Sequence, residues 1–108
     1  MALQESGEMY LETILILSQQ KESVRAIDIS EYMHYSKPSV SRAMSILRTN
    51  KYIDISPAGH ISLTNSGREI AEKIYERHQV LSQILMSLGV DEETATEDAC
   101  RMEHVISD

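Results

Sequence analysis

The chain has 108 residues, of which 42% are apolar and 25% charged, with a formal net charge of −7 at pH 7. That length suits one compact domain or two small units sharing a core. No apolar run approaches the ~20 residues that span a bilayer, and residues 1–4 carry no basic segment ahead of an apolar stretch, so neither a membrane span nor a secretory leader is expected and the cytoplasm is.

A single cysteine excludes an internal disulfide, and with no Trp or Phe the core must rest on Ile, Leu, Val, Met, Ala and Tyr. The acidity argues at first against a nucleic-acid partner, but it is unevenly spread. Residues 1–64 hold six Lys/Arg and seven Asp/Glu, a balance of −1; residues 65–108 hold four and ten, a balance of −6. Residues 36–51 contain Lys37, Arg42, Arg48 and Lys51 and no acid. A local basic patch, rather than the global charge, decides whether DNA can be approached.

In chain order, Glu5 to Gln20 reads as a helix with Tyr10, Ile14 and Leu17 at i, i+4, i+7. Met9 and Glu12 lie three apart on it and share an outward side. Lys21-Glu22-Ser23 is a polar break. Ala26 to Met33 reads as a short helix with Ile29, Tyr32 and Met33 on one face, followed by a tight connection at His34-Tyr35-Ser36.

Lys37 to Asn50 carries the strongest helix signals. Ser36 or Lys37 precedes it as the cap, with Ser36 the better capping chemistry, and Pro38 fits the first helical position. Val40, Ala43, Met44 and Leu47 make the buried stripe. Ser39, Ser41, Arg42, Ser45 and Arg48 are left outside, a small, hydroxylated and basic face suited to phosphates and guanine edges. Tyr52–Ile55 and His60–Leu63 alternate with period 2 around Ser56-Pro57-Ala58-Gly59, a hairpin. Two short helices, a third with a polar-basic face and then a hairpin make a winged helix-turn-helix.

Thr64 can cap a long helix from about Asn65 to Leu88, striped by Ile70, Ile74, Leu81, Leu85 and Leu88 and stopped by Gly89. Such a helix outruns the winged unit, and its apolar face needs a partner, most simply a second copy of the chain. Asp91 opens a last helix, with helical character to Ser107. On it Cys100, Glu103 and His104 stand at i, i+3, i+4 and share one face. A thiolate, a carboxylate and an imidazole suit a first-row divalent metal, and one helix face supplies three ligands at most. The bland alternative is a buried Cys beside a surface acid and a satisfied His. The fold class is therefore mainly α: residues 1–64 a winged helix-turn-helix and residues 65–108 a helical metal-binding and dimerisation domain.

Four stretches, Glu8-Met9-Tyr10-Leu11-Glu12-Thr13-Ile14, Ser36-Lys37-Pro38-Ser39-Val40-Ser41, Leu63-Thr64-x-x-Gly67-Arg68 and Asp98-Ala99-Cys100-Arg101-x-Glu103-His104-x-x-Ser107-Asp108, resemble the diphtheria toxin repressor family over nearly the whole chain. The family comprises metal-dependent bacterial repressors. The resemblance implies a cytoplasmic homodimer, Fe²⁺ or Mn²⁺ as corepressor, and operators that control metal uptake or homeostasis; the donor types would also take Co²⁺, Ni²⁺ or Zn²⁺ in vitro, and a twofold pair of reading helices suits a palindromic operator. The resemblance implies no enzymatic activity, small-molecule substrate or membrane partner.

Residue by residue, Met9, Cys100, Glu103 and His104 match the activating site of iron-type members, Glu12 a ligand position of manganese-type members, and His78 a ligand position of both. Ser82 and Thr96 stand where the iron type's ancillary site has a carboxylate and a histidine. The outer, acid-free face of the third helix and its start make Ser36, Lys37, Pro38, Ser39, Ser41, Arg42 and Arg48 the expected DNA contacts. The resemblance also implies that the second domain is cut short here, since the chain stops at Asp108 before the helix or helices that usually close it, and that the SH3-like third domain of longer members has no counterpart. Outside the resemblance, Met9 reads as core, Glu12 as a solvated carboxylate and His78 as a surface residue; His34 and His60 read as structural. Two rival classes remain at this stage: a winged-helix regulator sensing a small molecule, and a metal-dependent hydrolase built on the Cys/Glu/His cluster.

Overall fold

In a computed structural model of the chain, residues 5–102 are described. α1 (Glu5–Gln20) buries Tyr10, Ile14 and Leu17 as its periodicity predicts, and Leu11 and Leu15 with them. The buried arc is therefore wider than one stripe, because α1 packs at once on α2 (Ala26–Met33), α3 (Lys37–Thr49) and the second strand of the hairpin.

Asp28, in the first turn of α2, accepts the Arg25 backbone N–H at 2.9 Å and the Lys21 ammonium at 3.0 Å. These two bonds, the backbone one first, hold its carboxyl below the ordinary carboxylate range. A depressed folded-state value stabilises the fold above the unfolded-state value and loses that contribution as pH falls through the folded one. Asp28→Asn is thus expected to cost about 1 kcal/mol at neutral pH. Urea unfolding should show the gap between variant and parent close as pH falls through the depressed folded-state value; a gap that persists in strong acid would assign the loss to packing instead.

Ile29 is fully buried on α2, but Tyr32 is 48% exposed, contrary to the expected inward face. Eight residues bury only a narrow strip, and Tyr32 sits at its edge. His34 ends α2 in the left-handed region at φ 60°, and the Tyr35 ring meets Tyr10 edge-on at 6.0 Å. Ser36 is the cap of α3: its hydroxyl accepts the Ser39 N–H at 3.3 Å. Pro38 consequently falls at the second helical position, not the first. Val40, Met44 and Leu47 are buried and Ala43 partly so.

β1 (Ile53–Ile55) pairs antiparallel with β2 (Ile61–Leu63), each one residue shorter than expected, in the register Ile53↔Leu63, Asp54↔Ser62, Ile55↔Ile61. Val24 adds a one-residue third rung, its carbonyl accepting the Ile61 N–H at 2.7 Å. Ser56 closes the hairpin turn by accepting the Gly59 N–H on its carbonyl and the His60 N–H on its hydroxyl.

Thr64 caps α4 (Asn65–Ser87) by accepting the Gly67 N–H at 3.2 Å, while its own hydroxyl donates to the Lys51 carbonyl at 2.8 Å. Gly89 terminates α4 at φ +94°: its N–H donates to Met86 and that of Val90 to Leu85, the pairing of a left-handed helix end. Asp91 then caps α5 (Glu92–Met102) through the Thr94 N–H at 3.1 Å. The expected extension to Ser107 lies outside the described residues.

The chain forms two compact units, Met1–Ala71 and Glu72–Asp108. α4 begins in the first and ends in the second. Of its predicted stripe, Ile74 is buried, Ile70, Leu81 and Leu85 are half-buried, and Leu88 is 75% exposed. Val80 and Ile84 are about half exposed, so Val80, Ile84 and Leu88 form a second, outward row at i, i+4, i+8.

Candidate functional site

The helix-turn-helix is built by local chemistry. The left-handed His34 reverses the chain after α2, the Ser30 hydroxyl donates to the Tyr35 carbonyl at 2.6 Å, and the Ser36 cap starts α3 two residues later. With Val40, Met44 and Leu47 turned inward, Ser36, Lys37, Pro38, Ser39, Ser41, Arg42, Ser45 and Arg48 are all exposed. Ser36 donates its hydroxyl hydrogen to Ser39 Oγ at 2.8 Å. It is therefore a cap first, and Ser39 keeps a hydrogen for an outside acceptor.

Arg42 occupies the middle of the outward face. A groove of about 290 Å³ opens between α3 and the hairpin, with Ser41, Ser45 and Arg48 on one wall and Ile55 and Gly59 on the other. Two exposed side chains of α3 fall outside the sequence reading: Ile46, and Thr49, whose hydroxyl donates to the Ser45 carbonyl at 2.9 Å. Helical spacing from Arg42 would have found both. His60, read as structural, contacts the Arg25 guanidinium at 3.0 Å and so joins the hairpin to the start of α2.

In the first unit, Met9 and Glu12 lie one turn apart on α1. Met9 is half-buried, whereas Glu12 is only 7% exposed among Tyr10, Leu11, Thr13 and Ile14. Its burial removes the reading of Glu12 as a solvated carboxylate and corrects the expectation that it faces outward. In the second unit, His78 on α4 and Cys100 on α5 are both half-buried. Glu103 and His104 lie outside the described residues. Glu12, His78 and Cys100 each interact with another group of the protein. Among the described residues no three His, Cys, Asp or Glu side chains gather closely enough to hold a metal.

The donor chemistry nevertheless fits a divalent first-row ion. By type, a carboxylate, an imidazole, a thiol and a thioether are donors that such an ion takes. Ser82, at the position where iron-type members have an ancillary ligand, is buried, and Thr96 spends its hydroxyl on the Glu92 carbonyl at 2.9 Å.

Fold and face together define a winged helix-turn-helix regulator with a helical second domain. Residues 2–61 match the model of the iron dependent repressor N-terminal DNA binding domain, and residues 64–108 that of the iron dependent repressor metal binding and dimerisation domain. The chain belongs to the iron-dependent repressor family, the diphtheria toxin repressor family that its motifs resemble: metal-dependent transcriptional repressors that bind DNA.

An uncharacterised HTH-type transcriptional regulator of Methanocaldococcus jannaschii is 32% identical, over 98% of this chain and 86% of its own length. The transcriptional regulator MntR of Escherichia coli is 33% identical, over 92% of this chain and 64% of its own. Among solved structures, the manganese regulator SloR superposes with a TM-score of 0.82 at 28% identity, covering all of this chain and 50% of that one. The chain thus spans most of the first relative but about half to two thirds of the other two.

Proposed function

We propose that this chain, as a homodimer in the cytoplasm, represses genes of metal uptake or homeostasis when loaded with Fe²⁺, and that it catalyses no reaction. Residues 1–64 read the DNA, and residues 65–108 hold the partner subunit and, together with Met9 and Glu12, the metal. The observation that carries the metal half is the match of residues 64–108 to the metal binding and dimerisation domain of the iron dependent repressors. Met9, Glu12, His78, Cys100, Glu103 and His104 form the ligand set.

A bound divalent ion supplies positive charge and a fixed coordination geometry. The thioether of Met9 and thiolate of Cys100 favour Fe²⁺ over the harder Mn²⁺. The outward row Val80, Ile84 and Leu88 is apolar surface that a second copy would cover. Pairing two copies by a twofold axis suits a palindromic operator, with α3 of each copy in successive major grooves. On α3, Lys37, Ser39, Ser41 and Arg48 hold phosphates, Arg42 reads a guanine edge, and Ser36 and Pro38 set the entry of the helix.

Operator binding measured anaerobically with Fe²⁺, with Mn²⁺ and with chelator tests this. Affinity should rise with metal, more with Fe²⁺, and fall on chelation. Binding indifferent to chelator would overturn the metal half. Arg42→Ala should lower operator affinity roughly 5- to 150-fold, the about 1–3 kcal/mol of a bidentate base contact, with metal affinity unchanged. An unaltered operator affinity would remove Arg42 from the reading face.

A further inference from the structure

We propose that Ile46 reads the 5-methyl group of a thymine in the operator's major groove, a specificity contact that rests on the DNA-reading role of α3 argued above. Ile46 is 55% exposed, while the other large apolar side chains of α3, Val40, Met44 and Leu47, are buried. It is not part of the buried core, which leaves an isoleucine there without a full packing role. Its neighbours on the outward face are Arg42 one turn before, Ser39 two turns before and Thr49 one turn after.

Residues 36–51 carry four cations and no acid, so what approaches this face is anionic. On the outward face of α3 Ile46 is the one large apolar side chain, among hydroxyls and cations, a small patch for a protein partner. The major groove offers one apolar feature among its donors and acceptors, the thymine methyl. Thr49 competes poorly as a hydrogen-bonding reader, because its hydroxyl is tied to the Ser45 carbonyl.

Geometry adds a spacing. Four residues of α-helix advance about 6 Å, and residues three to four apart on a helix in the major groove meet successive bases. The thymine read by Ile46 therefore lies about one step from the guanine read by Arg42, once in each half-site.

The test uses the full chain loaded with Fe²⁺ to select duplexes from a randomised pool, then replaces each thymine of the selected site by deoxyuridine. The parent should lose about fourfold in affinity at one thymine per half-site, the worth of one buried methyl. Ile46→Ala should lose about as much on the unmodified duplex and be indifferent to deoxyuridine there, whereas Ile46→Val should keep the sensitivity. The side chain is exposed, so these variants should melt with the parent. If Ile46→Ala is as sensitive as the parent at every thymine, this proposal falls and the repressor reading stands. If the loaded chain selects no duplex, both fall.

Discussion

Gly67→Ala is expected to lower the melting temperature by roughly 10–20 °C, for a cost of about 2–3 kcal/mol. Gly67 is buried in the first turn of α4, and a Cβ there would overlap the Tyr52 carbonyl oxygen and touch the Leu63 side chain at 3.4 Å. The obstacle is backbone, so no rotamer relieves it. The same carbonyl accepts the Thr64 N–H at 3.1 Å, and Thr64 in turn caps α4 on the Gly67 N–H. Making room therefore pulls apart the junction of hairpin, cap and helix. Against this, alanine in a helix gains at most about 1 kcal/mol over glycine. Thermal melts followed by circular dichroism decide it, with the exposed neighbour Ser66→Ala as a control that should move little. A Gly67→Ala melt matching the control would show that the close approach has no energetic weight.

The elements this chain forms were legible where their causes are local. Apolar spacing and caps placed α1 and α2 to the residue, and Ser36, Thr64, Gly89 and Asp91 act at the helix ends as their chemistry predicts. What escaped depends on distant partners. Val24 pairs with Ile61 as a single residue between polar neighbours, too short to alternate. Tyr32 looked like core because spacing says which side chains share a face, but not how wide a face the rest of the fold will cover. The outward row Val80, Ile84, Leu88 was hidden for the same reason: α4 is apolar on more than one side.

The site divides in the same way. Spacing alone put Cys100, Glu103 and His104 on one helix face and an acid-free basic surface on α3. Met9, Glu12 and His78 came only with the family motifs, because ligands from separate helices leave no mark in spacing. Glu12 shows what structure adds. Its sequence context is that of an ordinary helical carboxylate, and only the packing of α1 on α2, α3 and β2 shows where burial falls along that helix. Ile46 is the converse, an apolar residue that α3 carries on its outward face, one turn from Arg42.

Cys100→Ala is expected to weaken metal-stimulated operator binding by at least about 100-fold, since even residues that merely support a ligand cost 10–100-fold in metal affinity. Cys100 is half-buried, so the bland alternative is a small apolar residue whose loss costs a little packing. The two are separable. As a packing residue, its removal lowers the melting temperature and leaves metal affinity alone; as a ligand, its removal lowers metal affinity in the absence of DNA. Titration with Co²⁺ reads this directly, because a thiolate-to-metal absorption band should appear in the parent and be missing in Cys100→Ala. The variant should remain dimeric by sedimentation, since the outward row on α4 is untouched. Exchanging both sulfur donors for carboxylates, Met9→Asp with Cys100→Glu, keeps the number of donors and hardens them, and hard oxygen ligands suit Mn²⁺. The double variant should therefore respond to Mn²⁺ more strongly than the parent does. If parent and double variant respond equally to Mn²⁺, ligand softness does not select the metal, and the preference for Fe²⁺ argued from Met9 and Cys100 is wrong.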